Sequence, residues 1–219
     1  MYKWLAIIVF IRGSLGKMDV LHLFHAGGFM MYPLLLCSII VVTIFIERFR
    51  FYHANRSNIE KLTKEIPDFL SANDQAGLKA ALKADGGIPA GVILAGAEQL
   101  SRKANQTAIL EGAASHAAGV LKSYLNYLDV IVTLSPLMGL LGTVVGMIGS
   151  FNVLSVAEGQ PFAITGGVAE ALVCTASGLF VAIIALIAYT YLSQQVSNFV
   201  SQMEKLGSLY LAIVEADQK

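Results

Sequence analysis

Three polar side chains stand where an otherwise apolar sequence has no packing need of them: Thr143, Glu170 and Thr175. Glu170 is the carboxylate set within the predicted third span, 166–193. A carboxylate inside a membrane is expensive and is a functional candidate by default, because it can take up and release a proton. A threonine hydroxyl offers one donor and two acceptor lone pairs to a partner, a water or an ion. Each residue also has a plainer reading. Glu170 can sit in the first turns of a helix opening at Thr165-Gly-Gly-Val168, favoured by the helix dipole. Both threonines can bond back to carbonyls of their own helices.

The elements that must position these groups are rich in small residues. Thr143 lies in Leu134-Ser-Pro-Leu-Met-Gly-Leu-Leu-Gly-Thr-Val-Val-Gly-Met147. Gly139, Gly142 and Gly146 recur at three- and four-residue spacing, which flattens one helix face and lets a second backbone approach. Thr175 lies in a second stripe, Ala171, Thr175, Gly178 and Ala182, on one face of another helix. The simplest packing sets the two stripes against each other or against an identical neighbour. Pro136 removes a helix hydrogen bond and should bend or loosen its helix, and Ser135 can satisfy a backbone group that is freed.

The chain has 219 residues, 56% hydrophobic and 14% charged, with formal net charge zero. Soluble domains carry about 25% charged residues. Three uncharged stretches make the difference, near 23–46, 130–157 and 171–203, each long enough for the roughly 20 residues of a membrane-crossing helix. They are too long, and alternate too little, for membrane β-strands. The expected organisation is an N-terminal segment 1–22, a first transmembrane helix 23–46 and a helical region 47–127 on the cytoplasmic side. A second span at 128–157, a short periplasmic loop at 158–165, a third span at 166–193 and a cytoplasmic helix at 194–219 complete it. Residues 4–11 are apolar but too short to span, and Arg12 and Lys17 follow. They read as an interfacial segment or an upstream extension rather than a signal peptide, because 13–16 make a poor cleavage site.

Orientation follows the basic residues. Arg48, Arg50, Arg56, Lys61 and Lys64 follow the first run, whereas 158–167 holds no Lys or Arg. This places the N-terminus in the periplasm and the C-terminus in the cytoplasm; Lys3, Arg12 and Lys17 weigh the other way. Within 47–127, Ile59, Leu62 and Ile66 share a helix face and Pro67 should interrupt that helix. Asp74 should cap a short helix ending near Asp85-Gly-Gly87, and Pro89 should open the next. From Thr107 no proline intervenes before Pro136, which predicts one unbroken helix entering the second span. Gln194 to Ile213 keeps an apolar face, so the third span should continue as an amphipathic tail packed on the extension of the second.

Other chemistries find little support. Zero net charge gives no nucleic-acid footprint. His22, His25, His53 and His116 lack metal-ligand spacing, no cofactor motif appears, and Gly-Leu-Leu-Gly-Thr lacks the lysine of a phosphate loop. An enzyme is not expected. Cys37 and Cys174 belong to no redox or metal motif. With Glu170 as the only acid in the interior of spans two and three, proton transfer would need a carboxylate from another subunit.

The two motifs, 134–147 followed by Phe151 and Gly166-Gly-Val-Ala-Glu-Ala-Leu-Val-Cys-Thr-Ala-Ser-Gly-Leu-Phe-Val-Ala182, resemble the paired motifs of the MotA/TolQ/ExbB proton-channel family, on the ExbB and TolQ side. Ile46-Glu-Arg-Phe49 also matches a family habit. The resemblance covers the chain after about residue 25. It implies an all-α membrane protein forming a homopentamer around a central pore lined by spans two and three. It implies a dimeric ExbD- or TolR-like partner with one span and a membrane aspartate, and beyond it a TonB- or TolA-like protein. The function implied is that of an inner-membrane motor subunit using the proton-motive force to energise outer-membrane transport or envelope processes. Thr143 and Thr175 match the family's pore threonines and Glu170 a frequent acid of the third span. Three spans rather than four argue against a flagellar stator. TolQ-like and gliding-type motors, and a non-conducting oligomeric scaffold, stay open as alternatives.

Overall fold

The computed structural model describes residues 27–99, 105–156 and 161–217, and among them every regular element is a helix. The predicted N-terminal segment 1–22 lies outside the described residues, as do the first residues of the predicted first span. In chain order the helices are α1 (Met31–Ala54), α2 (Ile59–Ser71), α3 (Gln75–Asp85), α4 (Ile88–Glu98), α5 (Gln106–Lys122), α6 (Leu125–Val156) and α7 (Pro161–Asp217). Two helical stretches, Gln106–Phe151 across α5 and α6 and Thr165–Ala216 within α7, are long and apolar enough to cross a membrane. The chain divides into two compact units.

The first unit comprises Leu128–Ile187 with the described residues up to Val42. Leu34, Cys37 and Val41 of α1 are buried at three- and four-residue spacing, as are Ile131, Ser135, Gly139, Gly142 and Gly146 of α6. Ala171, Cys174, Gly178, Ala182 and Ala185 form the corresponding line on α7. The outward faces are Leu, Ile, Val and Phe, for example Leu137, Leu140, Val144, Leu172, Phe180 and Ile183. Small residues inside and large apolar residues outside invert the soluble pattern, as expected where lipid is the solvent. Helix α7 begins at Pro161, not at Gly166: the loop predicted for 158–165 is helical from 161, and 157–160 lie outside the described residues. Proline suits a first helical position, where its missing N–H costs nothing.

The second unit comprises Thr43–Tyr127 and Ala188–Lys219. Its short helices start where sequence capping places them. The Asn58 side chain accepts from Lys61 N, Asp74 from Gly77 N and Asn105 from Ala108 N, and Gly86 closes α3 in the left-handed region at φ 67°. Pro67 does not interrupt α2, which continues to Ser71. Burial of Leu62 and Ile66 and the closing bond from Asp74 N to Phe69 O outweigh the one hydrogen bond that proline forfeits. The tail of α7 contributes Val196, Phe199, Met203, Leu206, Tyr210 and Val214 to the core, a continuous helical stripe.

The predicted unbroken helix from Thr107 into the second span is broken at Ser123 and Tyr124. Tyr124 adopts φ 66°, rare for a bulky residue, and no glycine or proline forces it. The cause lies on α1. Arg48, 5% exposed, donates from Nη1 to Val120 O at 3.2 Å, and Tyr52 donates to Leu121 O at 2.8 Å. The Arg48 guanidinium also lies between the Phe51 and Tyr124 rings, 4.5 and 4.9 Å from their centroids. These bonds satisfy carbonyls that end α5, and a cation is favoured at a helix C-terminus.

Candidate functional site

The site lies within the first unit, where α6 and α7 meet along the two predicted stripes. Small side chains allow a close approach. A Cβ at Gly178 would come 2.6 Å from Ser135 O and 3.0 Å from Gly139 Cα. A Cβ at Gly139 would meet Thr175 Cα at 3.1 Å, one at Gly146 would meet Gly167 O at 3.1 Å and Ala171 Cβ at 3.3 Å, and one at Gly142 would overlap Cys174 Sγ. Ala182 extends the buried line. The stripes are thus occupied by each other.

The two threonines behave differently. Thr175 Oγ1 donates across the interface to Gly139 O at 3.0 Å. Such a bond ties two helices together and is worth about 0.6–1.7 kcal/mol in a membrane. Thr143 Oγ1 donates to Leu140 O in its own helix at 2.6 Å, the plainer of its two readings. Thr143 is one turn from Gly139, so both hydroxyls serve neighbouring turns of one helix. Each has spent its single proton on a carbonyl and keeps acceptor lone pairs.

Glu170 is half-buried in the third turn of α7, because that helix begins at Pro161; the first-turn, dipole-favoured reading does not hold. It precedes Thr175 by about 7.5 Å of helix rise. Its Oε1 lies against the backbone of Gly28, where φ is +69°, so closely that a Cβ at position 28 would overlap it. Ser135 departs from expectation. Its side chain is fully buried and its hydroxyl has no partner among the described residues, so it does not satisfy a group freed by Pro136. Helix α6 passes through Pro136 without ending.

Four participants were not singled out from sequence: Gly28 beside Glu170, Cys174 against Gly142, and the pair Ser150 and Gly167. Ser150 Oγ donates to Gly146 O at 3.0 Å, and a Cβ at Gly167 would overlap that hydroxyl. The three- and four-residue spacing from Gly146 to Ser150 and from Gly167 to Ala171, Cys174 and Gly178 was the available signal.

Residues 75–205 match the profile of the MotA/TolQ/ExbB proton channel family. The chain is 31% identical over 192 residues to the putative biopolymer transport protein ExbB-like 3 of Synechocystis, covering 85% of this chain and 91% of that protein. It is 30% identical to ExbB-like 1 of the same organism, over 85% of this chain and 77% of the relative. It is 32% identical to the Tol-Pal system protein TolQ of Pseudomonas aeruginosa, over 56% of this chain and 59% of the relative. The matched residues contain both motifs, both threonines and Glu170, and the chain belongs to the MotA/TolQ/ExbB proton channel family.

Proposed function

We propose that this chain is the pore-forming subunit of an inner-membrane, proton-driven motor. In this reading α1 also crosses the bilayer, the N-terminus is periplasmic, and the second unit and the C-terminus are cytoplasmic. Five copies surround a dimeric, single-span ExbD- or TolR-like partner whose membrane aspartate carries the proton. The chain itself catalyses no covalent chemistry. The observation that carries the reading is the α6–α7 seam, with its interhelical Thr175 bond, neighbouring Thr143 and half-buried Glu170.

The hydroxyl directions bear on mechanism. With their protons committed to Leu140 O and Gly139 O, both threonines can only accept further hydrogen bonds. They favour a water or a protonated, neutral carboxyl group over a bare carboxylate. A partner acid stopping beside them is held in its protonated form, and Glu170 offers a second proton acceptor along α7. One charge crossing about 100 mV releases about 2.3 kcal/mol, enough to step a loosely held rotor. An ExbB-type role is favoured over a TolQ-type role because the relatives that align over most of this chain carry ExbB-like names.

One observation favours a second reading, a non-conducting scaffold: both threonine protons are satisfied within the chain. Proton flux separates the two. The chain is co-expressed with a neighbouring single-span, aspartate-bearing protein, reconstituted in vesicles, and assayed for potential-driven proton uptake with a trapped pH dye. Thr143→Val with Thr175→Val should leave the complex mass unchanged and lower uptake at least tenfold. Wild-type uptake in the double variant would remove the threonines from the pathway, and no uptake in the wild-type complex would favour the scaffold.

A further inference from the structure

In the second unit, where α1 and the tail of α7 meet, three rings form a ladder. Phe45 and Phe49 stack with centroids 6.0 Å apart, Phe49 and Tyr191 stack at 6.2 Å, and Phe45 and Tyr191 are tilted at 6.1 Å. Large aromatic surface is left open: Phe49 is 47% and Tyr191 41% exposed. The ladder opens into a cavity of about 170 Å³ lined by Phe49, Tyr52, His53, Arg56, Tyr191 and Gln195. Arg56 carries a positive charge, His53 adds an imidazole donor, and none of the six is acidic. Arg56 spends one nitrogen on Gln195 Oε1 at 3.0 Å and has no carboxylate partner among the described residues. Exposed Arg50 is one turn from His53 on α1. Of the nearby acids, Glu47 is paired with Arg48, and Glu60 lines a separate cavity that shares Arg56 and Gln195.

The ladder begins at the end of the uncharged run, since Ile46 is its last member and Glu47, Arg48 and Arg50 follow. An apolar ring surface rising from that boundary, with free cations at its foot, matches a phospholipid: an acyl chain along the rings and a phosphate at the cations. Basic pockets between helices at a cytoplasmic membrane face hold anionic headgroups, and aromatic side chains concentrate at that depth. We infer that the Phe45–Phe49–Tyr191 ladder and the Arg50, His53 and Arg56 cluster form a binding site for one anionic glycerophospholipid per chain. The assignment rests on α1 crossing the membrane as proposed above, and not on proton conduction. A free phosphate shares the headgroup chemistry, but the exposed rings select the lipid.

The test is native mass spectrometry of the full-length chain, solubilised in mild detergent and supplied with phosphatidylglycerol or phosphatidylcholine. Wild-type protein should retain phosphatidylglycerol at about one per chain and in at least fivefold preference. Each membrane-proximal Lys or Arg contributes about fivefold, so Arg56→Gln with His53→Gln, a loss of one formal charge and one imidazole, should abolish the fivefold preference while Arg56→Lys keeps it. Phe49→Ala should lower retention of both lipids, and Lys83→Gln, an equal charge loss away from the cavity, should change nothing. Thermal unfolding of each variant reports folding separately from retention, and the Arg56→Lys and Lys83→Gln comparisons hold even where the double variant is unstable. Equal retention of both lipids by wild type, or undiminished preference in Arg56→Gln with His53→Gln, would overturn the site. Displacement of lipid by inorganic phosphate, with no effect of Phe49→Ala, would assign the cluster to the free anion and overturn the lipid.

Discussion

Gly178→Ala tests whether the α6–α7 seam is set by backbone contact. The added Cβ would sit 2.6 Å from Ser135 O, where ordinary contact begins at 3.4 Å. Both near atoms on α6, Ser135 O and Gly139 Cα, are backbone, so no rotamer change relieves the overlap. The helices must separate by about 0.8 Å, the difference of those two distances. The same displacement stretches the Thr175 to Gly139 bond from 3.0 Å beyond hydrogen-bonding range. Overpacking costs about 1–3 kcal/mol and the lost bond about 0.6–1.7 kcal/mol, so the variant should lose about 2–5 kcal/mol. The assay is unfolding of the purified chain in mixed micelles by increasing SDS, followed by circular dichroism. Gly166→Ala on the same helix is the control, because its added Cβ meets nothing within 4 Å and alanine is the better helix former. Equal unfolding midpoints for Gly178→Ala and Gly166→Ala would refute the seam as described.

Arg48→Gln should expose the end of α5 by removing the bond to Val120 O and the stacking on Phe51 and Tyr124; hydrogen exchange at 120–127 should accelerate at least tenfold, and Arg48→Lys should not restore it, because an ammonium cannot present the guanidinium's planar fork. Tyr52 and Tyr210 are both pushed up to about 12, chiefly by burial, above an ordinary value near 10. Their folded forms retain protons that the unfolded chain releases, so their contribution is complete below about pH 10 and is lost as pH rises through about 12; a pH titration of thermal stability should fall across that window and fall less steeply in Tyr210→Phe. At pH 7 the same Tyr210→Phe substitution should leave stability unchanged or raise it by about 1 kcal/mol, since the buried hydroxyl has no partner among the described residues; a thermal melt checks it.

The small-residue stripes were legible because membrane helices need small residues only where backbones meet, and Gly139, Gly142, Gly146, Ala171 and Gly178 all lie on the seam. Helix starts at Asp74 and Ile88 were legible because a capping carboxylate and an early proline act locally. What escaped was tertiary. The break at Ser123 and Tyr124 has no local signature; it depends on Arg48 and Tyr52, about seventy residues earlier in sequence. Pro67 carried a correct local penalty that the burial of Leu62 and Ile66 overrides. The start of α7 at Pro161 was missed by reading Thr165-Gly-Gly-Val168 as the opening of the helix. Gly167 instead gives Ser150 room, a contact set by the partner helix.

The seam also constrains how the site can change. A face that meets its neighbour through backbone atoms has no side-chain freedom to absorb motion, so α6 and α7 at Gly139 and Gly178 must move together or separate outright. Separation costs the Thr175 bond and close contacts along five positions from Ser135 to Ser150, more than one proton crossing about 100 mV supplies. In the motor proposed above, movement driven one proton at a time therefore has to occur between this pair and something outside it, leaving the seam intact. The exposed leucine, isoleucine, valine and phenylalanine faces of α6 and α7 are the surfaces free to slide, and their side chains form only non-directional contacts. A covalent cross-link that joins α6 to α7 away from the close-contact positions, without widening the seam, should then leave proton uptake by the complex intact. If that cross-link abolishes uptake while the complex keeps its mass, the α6–α7 pair is itself the moving part.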